Sequence, residues 1–393
     1  MNDAISLQTL DFLFSLRGAD LLATLTADDL RDTALLDVLS RLRRVCAPAE
    51  AAAVVALARL RQRGQTKFAR AAQMFFTAEA LEQASGEGMS RYQARRYAPF
   101  VRVADLGCGL GGDMLALATA GHTVIAVDRD RLRARLAHAN AAIHGLGARV
   151  HVICADLRQQ PWCTTAAFVD PARRIEGRRV FSLHAMAPPL ADVLALRAWA
   201  PHLGVKVHPG VENHELPPGC EVEFIAEEGT CKEAMLWFGD LSTGATRRAT
   251  LLPGEHTLAW EAVDPVPCGP ASAYLYEPNP AVIRAHTVEQ LAWQIGARKL
   301  DPEIAYLTGE RLVATPFAHS YPVWEEHPFN LKLLNRRLRA LEIGAVVVKK
   351  RGSAVDPDEF RRRLKPVAGG RPAVVILTLV TGRPTMLICG ERL

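Results

Sequence analysis

The sequence predicts an α/β protein: a doubly wound, mostly parallel sheet, preceded by a helical domain and followed by a small α/β module. Three observations predict this. Leucines recur at helical spacing near the N-terminus, apolar runs alternate with helical stretches from residue 101, and two strand-like runs enclose a helix near the C-terminus. The 393 residues are 49% hydrophobic and 23% charged, which excludes a disordered or collagen-like chain.

The N-terminal part, residues 1–98, is predicted to be a helical domain. Its leucines between Leu21 and Leu42 recur mostly at steps of three and four residues, the period of a helix with one buried face. Ala51–Arg63 is rich in Ala and Leu and contains neither Gly nor Pro, which favours a helix. Thr26 offers a helix cap ahead of two aspartates.

Short apolar runs alternate with helical stretches over residues 99–245, which we interpret as one domain. The predicted strands are Val101–Leu106, Val124–Val127, Val150–Cys154, Ala166–Val169 and Val205–Val207. The predicted helices are Asp113–Ala120, Arg131–Ile143 and Pro189–Trp199. Strands that alternate with helices are parallel and joined by right-handed crossovers, so we expect an open sheet. Glu221–Ala226 and Ala234–Phe238 follow with no helix between them and predict a terminal antiparallel hairpin.

The rest of the chain is interpreted as a connector with short strands, residues 246–325, and a basic module, residues 326–393. The connector is rich in Thr, Gly and Pro, and Ala281–Ile295 within it is predicted to be helical. The predicted elements of the module are Asn330–Leu341, Ala345–Val348, Asp358–Leu364 and Ala373–Val380. Residues 328–393 hold 14 Lys and Arg against 5 Asp and Glu, whereas the rest of the chain holds 33 against 37.

Several classes of protein are excluded by what the sequence lacks. No apolar run approaches the roughly 18 residues of a membrane span, and the N-terminus has no basic and apolar leader pattern. The eight cysteines include no CxxC pair, which argues for reduced thiols in a cytoplasm and against structural zinc. His208, Glu212 and His214 have metal-ligand types without a recognised spacing, so no metal is expected.

A glycine-rich loop follows the first predicted strand and precedes a helix. Gly107, Gly109 and Gly112 satisfy the dinucleotide-binding fingerprint, and Asp128 ends the second strand about twenty residues later. Glycines let a ligand approach the backbone, and an acid at the second strand can accept from ribose hydroxyls. The pattern predicts a site for a nucleoside cofactor.

Asp105, two residues before the first glycine, distinguishes between cofactors. Its carboxylate would repel a pyrophosphate on this loop, which disfavours an NAD-dependent oxidoreductase. S-adenosylmethionine carries an ammonium and a sulfonium group and no phosphate. Asp156, which ends the third strand, could accept from an adenine amine. We therefore predict a site for S-adenosylmethionine, built from acids at three successive strand ends.

These motifs resemble those of the class I S-adenosylmethionine-dependent methyltransferases over residues 100–240. The motifs that carry the resemblance are Asp105–Asp113, Val127-Asp128, Ala155-Asp156 and Val169-Asp170-Pro171. The flanking sequences are similar to a bacterial group with a THUMP-like C-terminal domain, through Lys67-Phe68, Phe76-Thr77, Leu81-Glu82-Gln83, Arg91–Tyr97 and Val348–Gly352. The resemblance implies a Rossmann-like sheet with a terminal antiparallel strand and, through the THUMP-like label, RNA as substrate.

The resemblance also implies which residues contact the cofactor. These are Asp105, Gly107, Cys108, Gly109, Gly111, Asp128, Arg129, Asp156 and Leu157.

The end of the fourth strand is predicted to carry the chemistry, through Asp170 and Pro171. In related enzymes that methylate exocyclic amines of bases, Asn or Asp (Ser in cap-guanine enzymes) is followed by two prolines and an aromatic residue that stacks on the base. Here Ala172 and Arg173 replace the second proline and the aromatic residue. Asp170 is expected to orient and partly deprotonate the acceptor. Arg173 could stack on a base or hold a phosphate.

Other basic residues are predicted to contact the substrate. Arg174 and Lys206 are expected beside the acceptor. A phosphate-binding surface is predicted in the basic module, at Lys349, Lys350 and Arg351 together with Arg336, Arg337, Arg339, Arg361, Arg362, Arg363 and Lys365.

The sequence predicts a cytoplasmic methyltransferase that acts on RNA, at a base nitrogen. Two alternatives stay open. The chain could methylate a protein or a small molecule, or it could be a nucleic-acid-binding protein that keeps the cofactor fold without turnover.

Overall fold

The computed structural model describes residues 4–159, 163–171, 174, 175, 178, 179, 182, 183 and 186–393. The chain forms two compact units. The first comprises Met1–Cys220 and Leu236–Ser242, and the second comprises Glu221–Met235 and Thr243–Leu393. Among the described residues, no helix combines the length and the apolar character needed to cross a membrane.

The first unit begins with helices, as predicted. They are α1 (Leu7–Phe14), α2 (Leu16–Ala23), α3 (Leu35–Leu42), α4 (Pro48–Gly64), α5 (Ala78–Gln83) and α6 (Glu87–Ala94). Polar side chains cap several of them: the Ser15 hydroxyl accepts from Gly18 N at 3.1 Å, and the Thr77 hydroxyl accepts from Ala80 N at 3.2 Å. Pro48 occupies the first turn of α4, where a missing N–H costs nothing.

The parallel sheet of the first unit confirms the predicted doubly wound fold. Its strands are β1 (Arg102–Leu106), β2 (Thr123–Asp128), β3 (Val150–Cys154), β4 (Ala166–Val169) and, after the two-residue strands β5 (Arg174–Ile175) and β6 (Arg178–Arg179), β7 (His202–Val207). The order is β3-β2-β1-β4-β7, with each adjacent pair parallel. The connecting helices are α7 (Gly112–Thr119), α8 (Arg131–Ile143) and α9 (Leu190–Ala195). Leu106 is in register with Val127 and Val169, so the carboxyl ends of three strands meet at one edge.

The predicted hairpin is present as β8 (Glu221–Glu227) and β9 (Thr230–Trp237), which are neighbours in the sheet. Glu228 and Gly229 join them with φ values of 50° and 76°, the conformation of a type I′ turn. Within the second unit β10 (Arg247–Leu252) runs parallel to β8, and β11 (His256–Ala259) runs antiparallel to β10. The positions of β10 and β11 were not predicted individually.

A second sheet of the second unit has seven strands. They are β12 (Tyr274–Pro278), β13 (Arg298–Asp301), β14 (Ile304–Gly309), β15 (Ala318–Pro328), β16 (Ile343–Lys350), β17 (Arg371–Val380) and β18 (Arg383–Cys389), in the order β13-β14-β12-β15-β18-β17-β16. The helices are α10 (Pro280–Arg284), α11 (Val288–Ile295), α12 (Leu331–Ala340) and α13 (Pro357–Arg362). The predicted single helix over Ala281–Ile295 was wrong, because His286 adopts a left-handed φ of 58° and ends the first helix.

Alternation along β17 gives this sheet two apolar faces. Val374 and Ile376 join a cluster with Leu275 on one face, whereas Val375 and Leu377 join a cluster that includes side chains of α12 and α13. The predicted boundaries at residues 98, 245 and 325 stay predictions.

Candidate active site

A cavity of about 370 Å³ lies in the first unit, where the carboxyl ends of β1, β2, β3 and β4 meet. This is the position at which open parallel sheets bind ligands, because strand order reverses beside β1. Most of the predicted cofactor residues line the cavity: Gly107, Cys108, Gly109, Asp128, Arg129, Asp156 and Leu157. Asp170 and Pro171 line it as well.

The glycine loop brings the backbone close to the end of β4. Gly107 has a φ of +88°, and a Cβ there would lie 2.8 Å from the carbonyl oxygen of Asp170. Any other residue at this position would therefore displace the backbone that carries Asp170. Gly111, with a φ of 94°, is the N-cap of α7 rather than part of the cavity wall, so the structure gives it a role in shaping the turn.

Asp105 lies within β1 and is 1% exposed, so this predicted cofactor residue is buried rather than part of the cavity wall. Burial raises the pKa of its carboxyl well above the usual range, the neighbouring Asp113, Asp170 and Asp128 raise this pKa further, and the Lys206 ammonium opposes them. Its Oδ2 atom has no hydrogen-bond partner within the part of the chain that the structure describes. A cationic group near these acids would relieve their mutual repulsion, so the site fits a positively charged ligand better than an anionic one.

Asp128 connects the end of β2 to the glycine loop. Its Oδ2 accepts from Gly109 N at 2.9 Å, and its Oδ1 accepts from Asp130 N at 2.8 Å. Burial raises the pKa of this carboxyl, while the two backbone donors oppose that effect. The carboxylate lines the cavity and keeps acceptor capacity, as recognition of hydroxyl groups requires.

Asp156 follows β3 and has a partner that the sequence did not indicate. Its carboxylate accepts from the Arg158 guanidinium at 2.6 Å and from Arg158 N at 2.9 Å. These hydrogen bonds lower the pKa of Asp156 to about 2. Arg158 lines the cavity too and lies 3.7 Å from Asp192. The predicted adenine-binding carboxylate therefore lies within an ion-pair network at the cavity wall.

Asp170, directly after β4, forms an ion pair with Lys206 of β7. The Lys206 ammonium donates to Asp170 Oδ2 at 2.8 Å and to the Ser85 hydroxyl at 2.6 Å. Lys206 was predicted to lie beside the acceptor; its side chain is fully buried, whereas Asp170 lines the cavity. Arg173 lies outside the described residues, and only the backbone of Arg174, at the start of β5, is described.

The N-terminal segment supplies one wall of the cavity, which sequence reasoning missed. The lining residues are Ala80, Glu82, Gln83, Ala84 and Ser85. The Lys67 ammonium donates to three carbonyl oxygens around the end of α5, those of Leu81, Glu82 and Ala84, at 2.9, 3.2 and 2.6 Å. Lys67 and Leu81-Glu82-Gln83 belong to the flanking motifs quoted above, which was the available signal.

Asn140 holds this N-terminal segment against the glycine loop. It is fully buried in α8. Its side-chain oxygen accepts from Phe75 N at 2.8 Å, and its side-chain nitrogen donates to Phe75 O at 3.0 Å and Leu110 O at 2.9 Å. The signal for it was an amide side chain among the alanines of α8.

Two of the three cations predicted at the end of β16 have partners inside the second unit. Lys349 pairs with Glu277, and its ammonium lies 5.3 Å from the centre of the Tyr321 ring. Arg351 donates to Ala305 O at 3.1 Å. Lys350 is exposed.

The exposed cations of the second unit concentrate on α12 and around the end of α13. We call this set the α12–α13 basic face: Lys332, Arg336, Arg339, Arg361, Arg362, Arg363 and Lys365. Asn335 joins its two parts, because its side chain donates to Arg363 O at 3.2 Å and accepts from Lys365 N at 2.7 Å. Arg337, also predicted here, pairs with Glu325 instead. Within the described ranges, no cluster of His, Cys, Asp and Glu side chains is arranged to hold a metal.

Three protein-family models match separate parts of the chain. The model described as RNA cap guanine-N2 methyltransferase matches residues 101–190, which contain the glycine loop and Asp170. The model described as THUMP domain-like matches residues 318–391. A domain of unknown function matches residues 6–64. The resemblances drawn from the sequence are thereby confirmed.

Relatives and solved structures agree with these matches. An uncharacterised S-adenosylmethionine-dependent methyltransferase of Mycobacterium tuberculosis is 35% identical over 312 residues, which are 78% of this chain and 85% of the relative. A crystal structure from Porphyromonas gingivalis W83, provisionally named a methyltransferase, superposes with a TM-score of 0.75 and 22% identity over 98% of both chains, and shows the same fold. The chain belongs to the S-adenosylmethionine-dependent methyltransferases, and S-adenosylmethionine is its cofactor.

Proposed function

We propose that this enzyme methylates RNA at a base nitrogen. The observation that carries the proposal is Asp170-Pro171, which lies on the cavity wall at the end of β4, within the segment matched by the RNA cap guanine-N2 methyltransferase model. The THUMP domain-like match and the α12–α13 basic face support RNA as the substrate class, because clustered exposed guanidinium groups favour a phosphate backbone.

The residues of the cavity fit S-adenosylmethionine. Asp128 offers acceptor oxygens for ribose hydroxyls, and Arg129, Asp156 and Leu157 form the wall around the end of β3. The buried Asp105 and its acidic neighbours favour a ligand with positive charge. The cofactor supplies an electrophilic methyl group. The protein orients the methyl acceptor and places negative charge near it.

Asp170 is the proposed catalytic residue. Its Oδ2 is held by Lys206, so Oδ1 is the oxygen available to an N–H of the acceptor. A hydrogen bond from the acceptor amine to Oδ1 orients the nitrogen lone pair and stabilises the positive charge that develops on the nitrogen during transfer. The carboxylate can then take the proton that the methylated nitrogen loses.

The substrate contacts outside the cavity are proposed on charge. The α12–α13 basic face would hold phosphates of the RNA, and Lys350 adds an exposed cation at the end of β16. Arg173 and Arg174 follow Asp170-Pro171 in the sequence after a single alanine, so we propose that they approach the acceptor nucleotide. An arginine there would replace the stacking aromatic of related enzymes.

The test is transfer of labelled methyl from S-adenosylmethionine to two acceptor fractions, total RNA and total protein, from a strain that lacks the gene. Label that enters RNA and is released by nuclease, and is absent with Asp170→Ala, supports the proposal. Label that enters only protein contradicts it. A reaction with RNA from the wild-type strain is the matched control, since its sites are already methylated.

A further inference from the structure

We infer that Lys206 and Ser85 are positioning residues that hold the Asp170 carboxylate with one oxygen toward the acceptor. The inference rests on the proposed function, in which Asp170 contacts the acceptor nitrogen. It goes further, since it explains why this position is an aspartate and assigns a role in the reaction to the N-terminal segment, which carries Ser85.

The burial of the two charges is unequal. The Lys206 side chain is 0% exposed and the Asp170 side chain is 23% exposed. A fully buried ammonium needs anionic or hydrogen-bonding partners, and Lys206 donates to Asp170 Oδ2 and to the Ser85 hydroxyl. Since only the carboxylate lines the cavity, Lys206 acts on the acceptor through Asp170 rather than by contact.

The hydrogen bonds that the ammonium donates to Asp170 and Ser85 limit how Asp170 can turn. Ser85 follows α5 and Lys206 lies in β7, so the ammonium is anchored on two separate elements. The backbone of Asp170 is fixed as well, since its N–H donates to Leu106 O at 3.2 Å. The carboxylate is therefore oriented before substrate binds, which lowers the cost of aligning the acceptor.

The ion pair also determines whether residue 170 presents a hydrogen-bond acceptor or a donor to the cavity. A lysine ammonium only donates, so the atom of residue 170 that it contacts must be an acceptor. With aspartate, the second oxygen is still an acceptor for the substrate N–H. With asparagine, the ammonium would take the amide oxygen and turn the NH₂ group toward the cavity. Two hydrogen-bond donors, the amide NH₂ and the N–H of the substrate amine, would then face each other, and the amine would be repelled.

This arrangement predicts that a second substitution, at Lys206, partly restores the kcat that Asp170→Asn lowers. Asp170→Asn should lower kcat by about 100-fold or more, and Lys206→Met should lower it by about 100-fold through a misplaced carboxylate. The double variant D170N/K206M lacks the ammonium, so the amide can present its oxygen to the substrate. We expect its kcat to exceed that of D170N by about tenfold, as strong coupling between contacting residues allows.

The experiment compares kcat and the Kd of S-adenosylmethionine for the wild-type enzyme, D170N, K206M and D170N/K206M. The acceptor is whichever fraction the wild-type enzyme labels, RNA or protein, so failure of the proposed RNA substrate is seen separately in the wild-type reaction. Lys299→Met is the matched control, because it breaks a lysine–glutamate pair in the second unit. Cofactor Kd should stay within about threefold in all variants, since the pair acts on the acceptor.

A double variant more active than D170N supports the inference. A double variant at or below D170N overturns it, since Lys206 would then act independently of Asp170. If K206M does not fold, the kcat values of D170N and the double variant still test whether Lys206 acts through Asp170. Neither of those leaves a carboxylate at residue 170 without its cation: in D170N the ammonium keeps an amide oxygen, and in the double variant both charges of the pair are gone.

Discussion

The two units each pair a lysine near the end of a strand with a carboxylate, and the two pairs differ in which partner is accessible. In the first unit Lys206 is 0% exposed and Asp170 is 23% exposed beside the cavity. In the second unit Lys349 is 31% exposed and Glu277 is 17% exposed. The Glu277 carboxylate also accepts from the Tyr321 hydroxyl at 3.0 Å. One pair places an acid on the cavity wall, whereas the other joins three strands of a sheet.

The largest effect should come from removing the acid that faces the cavity. Asp170→Ala should lower kcat for methyl transfer by about 1,000-fold. The substrate amine would lose the carboxylate that accepts its hydrogen bond and takes its proton. Glu277→Ala should lower the free energy of unfolding instead, since it removes the carboxylate partner of Lys349. Kinetics and urea denaturation of both variants check the contrast. It is refuted if E277A loses as much kcat as D170A while remaining folded.

The next prediction concerns cations with and without internal partners. Replacing Arg336, Arg339 and Arg362 by glutamine should weaken RNA binding by about tenfold and reduce the slope of log K against log salt by about 2. The double variant K349Q/R351Q should weaken binding less, because those side chains have partners within the unit. Filter binding at several salt concentrations measures both. A larger loss in K349Q/R351Q would place the RNA at the end of β16.

A smaller effect is expected in the cofactor part of the cavity. Asp128→Asn should raise the Kd of S-adenosylmethionine by about tenfold, because an amide has one acceptor oxygen where Asp128 uses two. Its NH₂ group would then face the N–H of Gly109 or Asp130. Calorimetric titration with the cofactor measures this. An unchanged Kd would contradict this prediction, since neither the loop contacts of Asp128 nor a contact with the ligand would then affect cofactor binding.

The smallest effect is a pH-dependent one in the second unit. Arg337 holds the pKa of Glu325 at about 2, below its usual 4.5. The pair therefore stabilises the folded state above about pH 4.5 and loses this contribution as the pH falls toward 2. Glu325→Gln should lower the free energy of unfolding by about 1 kcal/mol at pH 7. Urea denaturation at both pH values should show the difference vanish near pH 2; a constant difference would contradict it.

The parallel sheet could be predicted because its strands are buried on both faces and therefore form continuous apolar runs. Ala166–Val169 is buried at all four positions, and its limits in the sequence and in the structure coincide. In contrast, β15 is mixed in polarity, contains prolines and lies largely half-buried, so no periodicity marks it. Its place is set by pairing with β12 and β18, which only the folded chain shows.

The residues of the site also fall into a group that the sequence could predict and a group that it could not. Residues on the glycine loop and at strand ends could be predicted, because local sequence fixes both the turn and the edge on which they lie. The hydrogen bonds of Lys206 could not be predicted, since they join it to Asp170, 36 residues away, and to Ser85, 121 residues away. The charge pattern predicted Lys349 and Arg351 on a phosphate-binding surface, but both have partners within the second unit. A sequence does not show which cations have such internal partners.

Methylation at a nitrogen of an RNA base is the proposed activity of this enzyme. Its most direct test is to digest the RNA that the wild-type enzyme has labelled with methyl groups and to separate the nucleosides by mass spectrometry. We expect a methyl group on a base nitrogen, retained when the base is cleaved from the ribose. A methyl group on the ribose, or labelled protein with unlabelled RNA, would contradict it.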